Sequence, residues 1–382
     1  MAHSNTLISD LLKFIPRHDF ENIVRKHRGD RYVKHFDCWK QLITLLIAQA
    51  ANQASLREIE QSMEINDPKL YHLGLTRVRR STLADANRKR PSEMFEGLFY
   101  KLVERCQALT PKHKFKFKNE LLTWDATIIS LCLSAFPWSK FGKTKGALKL
   151  HVQLNNSGNI PDFIVATPGF VHESTAAKKL FELKPDSIYC FDRGYWDYTL
   201  FRRINNAKAF FVTRTKETMN YTITGQHTKT TCNGVLSDDV ITLKNDKYQR
   251  ELRLIRYYDK ETGDVFEFLT NNFHLSAYTI SKIYQARWQV EAFFKWIKQN
   301  LKIKTFLGTN QNAVLTQIWV AMCYFLLLAY IKFKTSYQKS LFYLHKMVQD
   351  ALFLPLTIID LLKVSSKRLE RFKSHEHQFE FL

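Results

Sequence analysis

Leu121-Leu122-Thr123-Trp124-Asp125-Ala126-Thr127-Ile128-Ile129 is where the chain changes character. Aliphatic, aromatic and β-branched residues favour an extended strand here, and a single carboxylate interrupts them. Burying that carboxylate unpaired would be costly, so Asp125 is expected to face a cleft, with a turn or cap as the plainer alternative. Downstream, Lys149-Leu150-His151-Val152-Gln153-Leu154 alternates polar and apolar residues, Asn155 to Asn159 makes a turn, and Phe163-Ile164-Val165-Ala166 resumes a strand. Helical character over 173–183 precedes a short apolar run, Ser187-Ile188-Tyr189-Cys190-Phe191, which ends in Asp192-Arg193-Gly194-Tyr195. Asp192 is thus a second strand-end carboxylate, with Asp197 its competitor on proximity.

A helix is expected over 198–206, a strand over 209–213, and a β-rich insertion over about 216–272, where helical periodicity is absent. Strands mixed with helices in this order make the class α/β. Residues 1–110 instead read as an all-helical N-terminal domain, with apolar-periodic stretches at 39–63 and 94–109. Within it, Ser55 to Met63 suggests one helix, and Ser81 is a plausible N-cap for another running to Arg88. Arg77, Arg79, Arg80, Arg88, Lys89 and Arg90 surround that helix. Either a helix-turn-helix-like DNA reader or a basic solvated bundle fits the pattern. The expected division is 1–110, a catalytic region over 111–335, and a basic helical C-terminal region over 336–382.

The chain has 382 residues and a formal net charge of +21. Such an excess of Lys and Arg points to a polyanionic partner, nucleic acid ahead of an anionic membrane surface. Lys112, Lys114, Lys116 and Lys118 alternate with Phe115 and Phe117, and Lys140, Lys143, Lys145 and Lys149 follow without an intervening acid. Each cluster alone reads as a solvated surface, but their nearness to the carboxylate strands favours DNA. The six cysteines show no metal-type pairing, and neither a disulfide framework nor a signal peptide is visible, so a cytoplasmic protein is expected. The apolar run from Ile318 to Ile331 is shorter than the roughly 20 residues that a bilayer span requires, and reads as a buried core helix.

Ile283-Tyr284-Gln285-Ala286-Arg287-Trp288-Gln289-Val290-Glu291, continuing to Lys298, reads as one helix. At about 100° per residue, Tyr284, Arg287, Glu291 and Lys298 share one stripe, with Trp288 and Lys295 at its edge. Ile283, Val290, Phe294, Ile297 and Leu301 form a neighbouring apolar stripe suited to a core. A plain reading of Arg287 and Glu291 is a helix salt bridge worth about 0.2–0.5 kcal/mol.

The spacing Tyr-x2-Arg-x3-Glu-x6-Lys, together with Thr-Trp-Asp125-Ala-Thr and Phe-Asp192-Arg-Gly-Tyr, resembles bacterial insertion-sequence DDE transposases, specifically the IS-four family. The resemblance covers about residues 121–331. It implies an RNase H-like core with a β-rich insertion, preceded by an all-helical N-terminal domain. It also implies that Asp125, Asp192 and Glu291 are the catalytic, metal-binding carboxylates, and that Tyr284, Arg287, Trp288 and Lys298 hold DNA. Three carboxylates without His or Cys partners suit hard cations, two Mg²⁺ ions with Mn²⁺ as substitute. The implied activity is endonucleolytic cleavage at terminal inverted repeats and strand transfer, on double-stranded transposon ends and target DNA, by a homodimer at synapsis. A cytoplasmic, nucleoid-associated location without a membrane follows. A two-metal nuclease, or a repressor built on a decayed transposase, is the alternative. His172 and Glu173 read as helix N-terminal residues outside the catalytic set.

Overall fold

The structure is a computed structural model that describes residues 6–141, 145–228, 233–244, 248–303 and 305–363. They divide into two compact units, one within Pro111–Lys295 and one from Met1–Thr110 and Trp296–Leu382.

The first unit is mixed α/β. Its strands are β1 (Leu121–Leu131), β2 (Lys140–Phe141), β3 (Lys145–Asn155), β4 (Ile160–Pro168), β5 (Ile188–Phe191), β6 (Phe210–Arg214), β7 (Tyr221–Gln226), β8 (Val235–Leu243), β9 (Leu252–Tyr258) and β10 (Val265–Thr270). They form one ten-stranded sheet in the order β2-β3-β1-β5-β6-β10-β9-β8-β7, with β4 paired to β3. β1, β5 and β6 run parallel, while β3 is antiparallel to β1 and β10 to β6. The insertion therefore lengthens the sheet beyond β6.

Alternation explains the layers. Leu122, Trp124, Tyr189, Phe191 and Phe211 pack on one face with Ala177 and Phe181 near helix Glu173–Leu180 and with Leu200, Phe201 and Ile204 of helix Tyr198–Asn206. Leu121, Ile188, Cys190 and Val212 point the other way, to Ile280 and Ile283 of helix Ala277–Ala286. Phe115 and Phe117 stack at 5.1 Å and pack against this second cluster, while the alternating lysines from Lys112 to Lys118 are exposed.

β3 pairs with β4 as the hairpin that the alternation and turn residues imply. The polar face of β3 is buried and largely bonded internally: Lys149 bonds Glu173 at 2.9 Å, His151 Nε2 bonds Thr167 at 2.9 Å while its Nδ1 has no partner, and Gln153 accepts from Trp124 at 2.7 Å. Lys149 is thus an interior ion pair rather than part of a surface cluster. Lys143, from the same cluster, and Cys232 lie outside the described residues.

Among its described residues, the second unit is helical. The 39–63 stretch splits into Cys38–Ala50 and Leu56–Ile65, because Asn52 turns the chain with φ 58°. Ser55 caps the second helix by accepting from Glu58 N–H at 3.2 Å, and Glu58 returns a bond to Ala54 N–H at 2.8 Å. Helix Arg80–Lys89 begins one residue before Ser81, so Ser81 is not its cap; the N-cap is Arg79, which makes no side-chain capping bond. Helix Gln311–Lys334 is apolar on every side and buried, packed against Glu93–Gln107 and Cys38–Ala50. Its length and composition would suit a membrane span, and its burial explains them otherwise. Helix Leu341–Ala351 completes the unit; the basic tail beyond residue 363 lies outside the described residues.

Candidate active site

The pairing of β1 with β5 ends at Trp124 opposite Phe191. Asp125 and Asp192 are the next residue on each of two neighbouring parallel strands. Strand spacing is roughly 4.8 Å, so the register itself brings the two backbones together at one end of the pair. Local packing then fixes each carboxylate. Asp125 Oδ1 accepts from Ala126 N–H at 2.8 Å. Asp192 Oδ1 accepts from Gly194 N–H at 2.7 Å and caps the short turn Arg193–Tyr195. A Cβ at Gly194 would meet that oxygen at 2.8 Å, so the glycine is needed for the close approach.

Asp197 is engaged elsewhere. It caps helix Tyr198–Asn206 through Leu200 N–H at 3.0 Å and pairs with Lys178 at 2.6 Å. Burial opposes its charge, but the Lys178 ammonium outweighs this and holds its carboxyl below the usual range.

The expected single helix over 283–298 is broken. Ala277–Ala286 ends at Arg287, whose N–H bonds Tyr284 O at 3.0 Å, and a second helix, Trp288–Asn300, begins there. Arg287 sits in the joint with its side chain largely buried. Its Nη2 reaches Glu291 Oε1 at 2.5 Å and its Nη1 reaches Asp125 Oδ2 at 3.4 Å. One guanidinium therefore ties the β1 carboxylate to the helix carboxylate. Its Nε is buried without a partner. Asp125 is pushed up to about 6, by burial first and then by the charges of Asp192 and Glu291, with Ala126 N–H and Arg287 opposing. The three expected carboxylates thus lie within reach of one another's fields.

The other expected residues divide. Tyr284 packs on Phe268 at 4.9 Å between ring centres and lies under Arg287 at 5.7 Å, with burial pushing its phenol up to about 12. Trp288 is 64% exposed, so it is not a packing residue, and with Arg214, Tyr257, Phe266 and Tyr284 it lines a cleft of about 540 Å³. Lys298 lies on helix Trp288–Asn300 but belongs to the helical unit. The apolar stripe residues Ile283, Val290, Phe294, Ile297 and Leu301 are all buried.

Sequence reasoning missed Tyr195. Its hydroxyl is fully buried without a partner, and burial followed by the charges of Asp125, Glu173 and Asp192 pushes it well up. The signal was present in Asp192-Arg193-Gly194-Tyr195, where the turn at Gly194 brings the tyrosine back beside the carboxylates. Glu173, set aside as a helix N-terminal residue, does occupy the first turn of Glu173–Leu180, and it also holds buried Lys149; His172 makes no capping bond.

As a donor set, Asp125, Asp192 and Glu291 offer only oxygen, which suits hard divalent cations. The set is not closed around one point: among the described residues no group of three or more His, Cys, Asp or Glu side chains is gathered at metal-holding range. A guanidinium charge instead lies between Asp125 and Glu291, in keeping with a place for a cation.

Residues 116–326, more than half of the chain, match the transposase DDE domain model. The chain belongs to the transposase DDE domain family. This transposase is accordingly an enzyme that acts on DNA, in a family that uses divalent metals. Residues 3–76 match a domain of unknown function, DUF4372. The chain is 27% identical to an insertion-sequence transposase of Geobacillus stearothermophilus over 70% of this chain and 71% of the relative. It is 32% identical to a transposase of Sinorhizobium fredii over 64% of this chain and 69% of the relative. A solved piggyBac transposase synaptic complex with hairpin DNA superposes with TM-score 0.45 and 13% identity, over 95% of this chain and 79% of that one.

Proposed function

We propose that this transposase binds the terminal inverted repeats of its own insertion sequence, cleaves the element's ends and joins them to target DNA. The observation that carries the reading is that Asp125 and Asp192 follow the paired ends of two neighbouring parallel strands, while Arg287 ties Asp125 to Glu291 at the start of a helix. The β1, β3, β4, β5 and β6 arrangement supports an RNase H-like core, and the Tyr284, Arg287, Glu291 and Lys298 spacing supports placement in the IS-four branch.

Asp125, Asp192 and Glu291 would hold two Mg²⁺ ions, for which Mn²⁺ can substitute. Bound there, the ions supply activation of the attacking oxygen and stabilisation of the leaving oxygen in phosphoryl transfer. The protein positions the groups around them. Arg287 moves from the carboxylates to a DNA phosphate, where its planar fork grips two oxygens. Tyr284 orients that guanidinium from beneath, Trp288 stacks on a distorted base at the cleft, and Lys298 holds a neighbouring phosphate. The helical N-terminal region recognises the repeats, two copies of the chain pair at synapsis, and the protein works in the cytoplasm at the nucleoid.

The test is cleavage of a duplex carrying the element's end, with Mg²⁺ and a target plasmid. Asp125→Ala, Asp192→Ala and Glu291→Ala should each abolish cleavage while keeping most DNA affinity, since the phosphate-binding cations remain. Cleavage without joining would assign a nuclease, and wild-type cleavage in any of the three variants would overturn the site.

A further inference from the structure

The end of helix Arg17–Lys26 and the segment that leads from it to helix Cys38–Ala50 carry a run of cations. Arg25, Lys26, Arg28, Arg31 and Lys34 are all exposed. The acid among them, Asp30, is exposed as well, and one of its carboxylate oxygens accepts Cys38 N–H at 2.7 Å. Among the described residues, no acidic side chain pairs with Arg28, Arg31 or Lys34.

The backbone is built to hold these side chains outward. Arg28 and Tyr32 both adopt left-handed conformations, with φ 54° and 62°, which ordinary side chains rarely take. Turns close through Arg31 N–H to Arg28 O at 3.1 Å and Val33 N–H to Asp30 O at 3.1 Å. Between them Gly29 is buried so tightly that a Cβ would collide with the Met94 sulfur. The segment is thereby pinned to the helices at Gly29, with Arg28 and Arg31 standing on either side. Two open clefts meet at these two arginines: one also includes Arg17, Arg25 and Trp39 with the acids Glu21, Asp30 and Asp37, the other Lys34, His35 and Lys89 with Asp85. Tyr32 is 87% exposed, and Arg31 lies 4.8 Å over its ring while bonding its hydroxyl at 2.9 Å.

The cations around helix Arg80–Lys89, where the sequence placed a DNA reader, are more committed. Arg77 pairs with Glu64 at 2.9 Å, Arg88 with Asp85 at 2.7 Å, and Arg90 is buried against Gln41 at 2.9 Å.

We propose that Arg28, Arg31 and Lys34 form a phosphate grip for duplex DNA, with Tyr32 and its stacked arginine as a flat contact against the sugar-phosphate backbone. The inference rests on the transposase reading but assigns a contact surface to a domain whose role the family match leaves open. Cations with fixed backbones and no acidic partners fit a regularly spaced polyanion, and contact through phosphates positions the chain without reading sequence.

The test uses the full-length protein and a generic-sequence DNA duplex, with affinity measured across a salt series. Arg28→Gln, Arg31→Gln and Lys34→Gln combined should weaken binding and reduce the salt slope by roughly three counterions, at about 0.9 for each phosphate contact. Arg28→Lys with Arg31→Lys, Lys34 kept, should hold the parent's slope, because each phosphate then still meets a point charge. Lys13→Gln with Lys101→Gln, each already paired with an acid, should leave the slope near that of the parent. Should the triple variant fail to fold, Arg31→Gln alone should remove about one counterion. A folded triple variant with the parent's slope overturns the grip, as does a loss confined to phosphatidylserine vesicles with DNA binding intact. If the parent itself neither binds nor cuts DNA, the transposase reading fails first.

Discussion

The Arg287 guanidinium stands 2.5 Å from Glu291, and the same group reaches Asp125 at 3.4 Å. For these carboxylates to take up metal as proposed, the fixed positive charge has to give way to it. Arg287→Ala should therefore raise Mn²⁺ affinity of the DNA-free protein, by roughly tenfold or more, since a charge-assisted hydrogen bond contributes about 1.5–3 kcal/mol. Cleavage should fall in the same variant. Mn²⁺ titration followed by electron paramagnetic resonance checks this, and weaker binding in Arg287→Ala would mean that the arginine supports the metal site.

Asp125 should make metal-free stability depend on pH. Its carboxyl moves from 3.8 to about 6 on folding, so the stabilised state is the protonated one. Its contribution is full below the unfolded value and disappears as pH rises through about 6. At neutral pH the ionised group then costs on the order of 2–3 kcal/mol. Asp125→Asn should melt several degrees above the parent in metal-free buffer near neutral pH, and converge with it near pH 4. An equal difference at both pH values would contradict the shift.

Asp192 and Asp197 should separate cleanly. Asp197→Ala loses a helix cap worth about 1 kcal/mol together with the Lys178 pair, and should lower the melting temperature while cleavage by the folded fraction persists. Gly194→Ala should behave oppositely, displacing the Asp192 carboxylate and lowering metal-dependent cleavage at small cost in stability. Melting curves beside cleavage rates at fixed folded concentration distinguish them.

Trp288→Ala should leave stability within about 0.5 kcal/mol, because an exposed side chain contributes little to folding. End cleavage or joining should nevertheless decrease, and a stacked base should quench Trp288 fluorescence in the parent. Unchanged turnover would return the residue to the surface.

Much of the site was legible because its residues violate their surroundings: Asp125 interrupts a strand of apolar neighbours, and Asp192 ends another. The β insertion was legible from the loss of helical periodicity between strands. The break at Arg287 was not, since no proline or glycine marks it; the guanidinium's long-range bond to Asp125 accompanies it, beside the local pair with Glu291. Lys149 misled for a related reason, because alternation reports which residues share a face of β3 and not whether Glu173 covers that face. The Arg28 to Lys34 surface was not singled out either, since left-handed backbone at an arginine and a tyrosine leaves no cue in residue type.

The continuity of the sheet bears on how this enzyme can be shortened. β6 is hydrogen-bonded to β5 on one side and to β10 on the other, and β10 is supplied by the insertion. Deleting residues 216–272 would strip one side of β6 of its partners and leave unsatisfied N–H and C=O groups as a template for another chain. Such truncations should go into insoluble aggregates, so any smaller version needs a replacement edge strand or a charged, proline-bearing β6.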